Sequence, residues 1–167
     1  MTAKEYDDCI GRWADDVMRF AVRCGGSRED SEDAVQEAFA AMWCRRGEVD
    51  VAKGKSFLFS AAYRQLLWRF RRRKTEGYIT TDAVERMNEV AQAPDEGFDA
   101  KEAIAAAMAT LPEVQRAILQ LRDVEGYSYA EIGETLGLND KQVQVYLFRA
   151  RVAMRKQLNN LGYGKDK

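Results

Sequence analysis

Residues Tyr127 to Arg151 read YSYAEIGETLGLNDKQVQVYLFRAR, and the punctuation of that stretch decides the fold. Ser128 and Glu131 have the spacing of a capping box, so a short helix is expected from Tyr129 with Ile132 and Leu136 turned inward. Gly133 is small where a second helix has to cross closely, and Gly137 accepts the left-handed backbone of a tight turn. Asn139 can cap the next helix, in which Val143, Leu147, Ala150, Met154 and Leu158 recur at spacings of four, three, four and four. Two helices crossing over a tight turn form a helix-turn-helix. Facing away from the apolar stripe are Lys141, Val145, Phe148, Arg149, Val152 and Arg155, with Gln142, Gln144 and Arg151 on the flanks. Glutamine can bond adenine in two places at once, and lysine and arginine neutralise phosphates or read guanine. A helical hairpin with a solvated charged face would share the apolar spacing. It would not need the capping box, the small residue and the turn glycine together.

Upstream of this stretch, Pro112 opens a helix with Val114, Ile118 and Leu121 at inward spacing and Gly126 closing it. A further helix is expected from Ala100 to about Ala109, carrying Ile104 and Met108. Residues 76 to 99 lose the periodicity, gather acid and include Pro94 and Gly97, which reads as a linker with at most a short helical turn near Ala83 to Val90. Charge marks the same division. Residues 1 to 75 carry 15 basic against 12 acidic side chains, residues 76 to 103 carry 2 against 8, and residues 104 to 167 carry 9 against 7. An acidic segment thus separates two mildly basic blocks.

The N-terminal block reads as three helices. The first spans about Ala3 to Cys24, with Tyr6, Ile10, Trp13, Val17, Phe20 and Cys24 on one stripe and Gly25-Gly26 ending it. The second starts after Ser27 to Ser31 and runs to about Arg45, with Val35, Phe39 and Met42 inward and Asp33, Gln36 and Glu37 off that stripe. Gly47 to Lys55 is a polar loop. The third helix, about Ser56 to Lys74, has too many large apolar residues for one stripe: Phe57, Leu58, Phe59, Tyr63, Leu66, Leu67, Trp68 and Phe70. It either lies deep in a core or shows aromatics to a partner. Its basic end interleaves Arg64, Arg69, Arg71, Arg72, Arg73 and Lys74 with Tyr63, Trp68 and Phe70. Aromatic faces stack on unpaired bases while arginines hold the backbone, a combination suited to opened DNA. The plainer reading is a core stripe with an arginine run at a helix C-terminus.

Composition narrows the function classes. With 26 basic and 27 acidic residues the formal charge is -1, which excludes a uniformly basic DNA-coating protein. There is no histidine, and Cys9, Cys24 and Cys44 have no C-x-x-C spacing, so neither a zinc site nor Ser-His or Cys-His catalysis is expected. They read as plain core or surface thiols. No cofactor, metal or small-molecule substrate is implied. The N-terminus lacks the pattern of a secretory signal, and no stretch approaches the ~18 apolar residues of a membrane span, so a cytoplasmic protein is expected.

Three stretches together resemble the sigma-70 family of RNA polymerase sigma factors. SEDAVQEAFAAMW is similar to that family's second conserved helix, FLFSAAYRQLLWRFRRRK to its promoter-melting and -10 recognition helix, and LPEVQRAILQLRDVEGYSYAEIGETLGL to its -35-binding domain. With only these two domains and no insert between them, the layout resembles the extracytoplasmic-function group. The expected fold is all-α, with two small helical domains joined by an acidic linker: residues 1–75 for polymerase docking and the -10 element, 76–99 as linker, and 100–163 for the -35 element. The resemblance implies that Asp33, Gln36 and Glu37, with Trp43 alongside, dock on the clamp helices of core polymerase, and that the second domain meets its flap. The loop bearing Lys53 and Lys55 would capture a flipped-out base of the -10 element, and Tyr63, Arg64, Trp68, Arg71, Arg72 and Arg73 would line the opened strand. Lys141, Gln142, Gln144, Val145, Phe148, Arg149, Arg151 and Arg155 would meet the -35 duplex. Promoter DNA, core polymerase and an anti-sigma factor, membrane-bound or soluble, are the implied partners. The chain departs from the family at Tyr63-Arg64, where an Arg-Asn pair is common, at Trp68, where Asp is frequent, and at Tyr146, where a basic residue is frequent.

The first functional expectation is therefore a promoter-specificity subunit that does no covalent chemistry. A conventional helix-turn-helix regulator with an N-terminal dimerisation or sensor domain is the alternative, and it leaves the Arg-aromatic helix unused. A metal-dependent hydrolase built on acids such as Asp7, Asp8, Asp15, Asp16, Glu29, Asp30, Glu32 and Asp33 is a third, set against the ordinary meaning of such spacing, a solvated face.

Overall fold

The structure, a computed structural model, describes residues 1–76 and 100–163. The described residues are helical with no strand among them. The expected linker, apart from Glu76, and the helical turn near Ala83 to Val90 lie outside the described residues.

Helix α1 (Ala3–Arg23) begins at a capping box between Thr2 and Glu5 and stops at Cys24, followed by Gly25 at φ 102°. Its inward face is Cys9, Val17, Phe20, Ala21 and Cys24. Ile10, expected on that stripe, is exposed, and Cys9 takes the inward place. Spacings of three and four leave a one-residue ambiguity in where a stripe is centred, and packing resolves it. Helix α2 (Arg28–Cys44) starts from Ser27, whose hydroxyl accepts from the Asp30 amide. Asp30, Ala34, Ala38 and Met42, each four apart, line its buried face, while Val35 is only half-buried.

A 3-10 turn, Val51–Lys53, leads into α3 (Gly54–Glu76). Gly54 is required there: a Cβ would lie 2.7 Å from the Trp13 ring. Leu58, Phe59, Ala62, Tyr63 and Leu66 of α3 are buried, and Phe57, Leu67 and Phe70 are half-buried. The wide apolar surface has a simple cause. Helix α3 packs on α2 and α1 and also meets the C-terminal domain.

The C-terminal domain comprises α4 (Ala100–Ala109), α5 (Glu113–Leu119), α6 (Tyr129–Leu136) and α7 (Asp140–Asn160). Pro112 is the cap residue of α5, which continues into a single π-type turn at Gln120–Val124. Ala117, Ile118, Leu121, Ile132, Val143, Leu147 and Ala150 form its core, with Met154 and Leu158 half-buried.

Candidate nucleic-acid interface

The helix-turn-helix is built as its residues require. Ser128 and Glu131 exchange both capping bonds, each 3.1 Å, and these bonds from Ser128 lower the Glu131 carboxyl below its usual range. Gly137 is left-handed at φ 73°, and the Leu138 amide returns to the Gly133 carbonyl at 2.9 Å. Gly133 is small for a reason closer than a crossing helix: a Cβ would stand 2.5 Å from the Leu138 carbonyl oxygen, with Val143 beyond it at 3.8 Å. Asn139 caps α7 through a further capping box, in which the Gln142 side chain accepts from the Asn139 amide at 3.0 Å.

That bond gives Gln142 a structural task at the entrance of the recognition helix. Gln144 carries no such role in the cap. Lys141, Gln144, Val145, Phe148, Arg149, Val152 and Arg155 all lie on the exposed face of α7, and Phe148 keeps 70% of its surface in water. Arg151 is exposed too, paired with Asp123 at 3.0 Å. The face is cationic and carries unburied apolar groups, the composition that meets phosphates and thymine methyls in a major groove.

Helix α3 presents two different stripes. The inner one runs Leu58, Ala62, Leu66 and then Arg69 and Arg73, which turn toward α2. Arg73 pairs with Asp30, and Arg69 lies 3.4 Å from Asp33 and 4.0 Å from Asp30. The outer stripe is Arg64, Trp68 and Arg72 at spacings of four, with Arg71 beside them, all exposed. Trp68 keeps 55% of its surface in water, and the Arg72 guanidinium lies 5.2 Å from its ring centre.

Two expected DNA contacts thus need correction. Tyr63 is 5% exposed and its hydroxyl pKa is raised, first by burial, so it is a core residue with no face free for a base. Arg73 is engaged by an acid of the neighbouring helix, because the stripe it occupies points into the α2–α3 seam.

The two lysines expected in the polar loop, Lys53 in the 3-10 turn and Lys55 in the first turn of α3, face the second domain. Lys55 Nζ is 2.7 Å from Glu125 and 3.3 Å from Asp16, and Lys53 is 3.4 Å from Glu134. Ser56 and Tyr127 share a hydroxyl-hydroxyl bond of 3.0 Å, and the Tyr127 ring stands edge-on to Phe59. Burial of Lys55 disfavours its charge, but the hydrogen bond and charge of Glu125, then those of Asp16, outweigh it and raise the pKa above the ordinary lysine value. Sequence reasoning missed Glu125, Tyr127 and Glu134 as interdomain residues, since nothing in their spacing signals a partner on another domain. It counted Asp30 only among the hydrolase acids and missed its burial, for which a signal existed: an acid on the four-residue repeat of Ala34, Ala38 and Met42.

On the docking side, Gln36 and Glu37 are exposed, whereas Asp33 is half-buried beside Arg69. Trp43 is 39% exposed, edge-on to Tyr6 at 4.9 Å and covered by Arg46 at 4.0 Å. Among the described residues no group of three or more metal-ligating side chains converges, and no helix is long and apolar enough to cross a membrane. Cys9 and Cys24 are buried and Cys44 is exposed, and burial pushes the Cys24 thiol up to about 12.

Family comparisons follow the same two units. The profile for Sigma-70 region 2 matches residues 9–76, and that for Sigma-70 region 4 matches residues 101–154. The ECF RNA polymerase sigma factor SigF of Caulobacter vibrioides is 30% identical over 83% of the chain and 76% of its own length. The chain belongs to the extracytoplasmic-function sigma factors of the sigma-70 family. SigM of Bacillus subtilis is 27% identical over 96% of this sigma factor and 98% of its own length. The fold matches that of the sigma factor RpoE in its co-crystal structure with the anti-sigma factor NepR from Bartonella quintana, with a TM-score of 0.73, 18% identity, and coverage of 94% of this chain and 98% of that one. This sigma factor directs RNA polymerase to promoters and is not an enzyme. Its family replaces the alternative readings, the free-standing regulator and the metal hydrolase.

Proposed function

We propose a division of labour within this established role. Residues 1–75 dock on the clamp helices of core polymerase through Asp33, Gln36, Glu37 and Trp43 and hold the opened -10 strand on the outer stripe of α3. Residues 100–163 read the -35 duplex with the exposed face of α7, Lys141 and Arg149 positioning and Gln144 specifying. A hollow of about 450 Å³, lined by Ile104, Met108, Leu119, Val124, Met154 and Leu158 and also by Asp123, Arg151 and Arg155, is the surface assigned to the polymerase flap. The single observation that carries this reading is Trp68, a large aromatic held in water between Arg64 and Arg72 on a helix whose other large rings are buried or half-buried. Such a platform suits an unpaired base.

Closure of the two domains bears on this role. Lys53 and Lys55 are occupied by Glu134, Glu125 and Asp16, so the domains separate before the loop meets DNA. An anti-sigma factor, membrane-bound or soluble, belongs to the same reading as a partner that controls access to these surfaces, and the solved relative bound to NepR supports it.

The test is Trp68→Ala in the reconstituted holoenzyme. Core-polymerase binding should be unchanged, opening of a duplex promoter slowed, and initiation restored on a template already unpaired at the -10 element. Unchanged opening on the duplex contradicts the assignment of α3.

A further inference from the structure

Asp30 stands out among the charged groups outside the DNA-facing surfaces. It is 2% exposed, in the first turn of α2, on the same four-residue repeat as Ala34, Ala38 and Met42. One carboxylate oxygen meets Arg73, with Arg69 4.0 Å away, while the other is buried without a hydrogen-bond partner. Burying a carboxylate is costly unless it is paired, so this acid depends on the arginines that α3 brings to it. The dependence runs both ways. Arg69 and Arg73 continue the inner stripe of α3, and the Nε of Arg69 is itself buried and unpartnered.

The geometry has a consequence for the opposite stripe. A helix is a rigid cylinder, so clamping positions 69 and 73 to α2 also sets the direction in which positions 64, 68 and 72 point. Beyond the half-buried Phe70, the last turn of α3 carries a run of like charges, Arg71, Arg72, Arg73 and Lys74, whose mutual repulsion the Asp30 pair relieves.

We propose that Asp30 is a positioning residue for promoter opening: it withdraws Arg73 and Arg69 from the DNA and fixes the rotation of α3 that presents Trp68 and Arg72 to the unpaired strand. The proposal rests on the reading of α3 as the strand-holding helix. It changes the meaning of the arginine run. Of the arginines at the end of α3, Arg71 and Arg72 face outward to the nucleic acid, and Arg69 and Arg73 serve as struts.

The two roles of Arg73 predict opposite results for Asp30. If Arg73 were a phosphate contact restrained by Asp30, Asp30→Asn would release a cation and tighten DNA binding. As a strut, Arg73 loses its anchor in that variant and binding weakens.

The experiment uses holoenzyme reconstituted from core polymerase and full-length sigma factor, with a promoter mapped by run-off transcription and supplied as a forked template carrying the opened -10 strand. Asp30→Asn and Arg73→Gln should each weaken binding to the fork roughly 5- to 100-fold, the effect of losing about one stacking contact. The double variant should be no weaker than either single one, since both changes act through the same pair. Core-polymerase binding should be unchanged. Thermal unfolding is followed for each variant, and the double variant, in which neither member of the pair is left as a lone charge, carries the test if Asp30→Asn does not fold. Tighter fork binding by Asp30→Asn, or weakening by Arg73→Gln that Asp30→Asn does not share, overturns the proposal. Trp68→Ala in the same assay separates the two failures: weakened by Trp68→Ala but not by the Asp30 and Arg73 variants, only the strut is refuted, whereas no effect of Trp68→Ala removes the reading of α3 on which it rests.

Discussion

The ammonium of Lys55 and the carboxylate of Glu125 meet at 2.7 Å across the boundary between the two domains, both largely shielded from water. Lys55 enters α3 beside the loop expected at the -10 element, and Glu125 precedes the helix-turn-helix. This pair, with Lys53–Glu134 and the Ser56–Tyr127 bond, closes the molecule over one of its own expected DNA contacts.

Glu125→Gln should loosen this closure by about 1 to 2 kcal/mol, between the value of an exposed pair and that of a buried one, or roughly 5- to 30-fold in the closed-to-open ratio. Small-angle scattering should show a larger radius of gyration for the variant, and for the wild type in high salt. The raised pKa of Lys55 makes its contribution complete below the ordinary lysine value of 10.5 and lost only as pH rises through the higher folded value, so pH near neutrality should not open the domains through this group. An unchanged radius in Glu125→Gln and in high salt would show that the closure rests on other contacts.

On α7 the two glutamines should separate. Gln144→Ala should relax base preference at one -35 position, by about 1 to 3 kcal/mol if its bond to the base is bidentate, with little change in stability. Gln142→Ala should instead lower the unfolding temperature, because its side chain closes the capping box with Asn139. Lys141→Ala should weaken all promoters alike and reduce the salt slope by about one unit. A promoter library read with each variant checks the division, and equal profiles for Gln144→Ala and Lys141→Ala would refute it.

How much of this was legible in the chain depends on the range of the interaction. The Ser128–Glu131 box, the Gly137 turn and the Val143, Leu147, Ala150 stripe are local, set by spacing along one or two helices, and the structure has them where the sequence puts them. The family assignment drew on the same local patterns. Asp30 with Arg73, Lys55 with Glu125, and the burial of Tyr63 depend on which helix lies alongside, and residue spacing within one helix carries no record of that. The broad apolar surface of α3 was visible, but its cause, a second domain packed against it, was not.

Gly133→Ala should be the most damaging small substitution in the helix-turn-helix. The added carbon meets a backbone oxygen at 2.5 Å, so the turn itself must move, at a cost of about 1 to 3 kcal/mol. Ser128→Ala should cost about 1 kcal/mol at neutral pH. Because the Glu131 pKa is lowered in the folded state, the part of the box that depends on its charge is present above the ordinary value of 4.5 and is lost as pH falls through the lowered value. Unfolding curves of wild type and Glu131→Gln should therefore converge in acid; a difference that stays constant with pH would rule out the charged bond.

The most direct measurement is run-off transcription from fragmented genomic DNA by core polymerase with and without the purified protein, paired with duplex binding by the protein alone. The account predicts new transcripts from a discrete promoter set only when both proteins are present, loss of those transcripts with Trp68→Ala that an unpaired -10 template restores, and no tight specific duplex binding by the isolated chain. Transcripts that do not change on adding the protein, together with tight site-specific duplex binding by the chain alone, would contradict it.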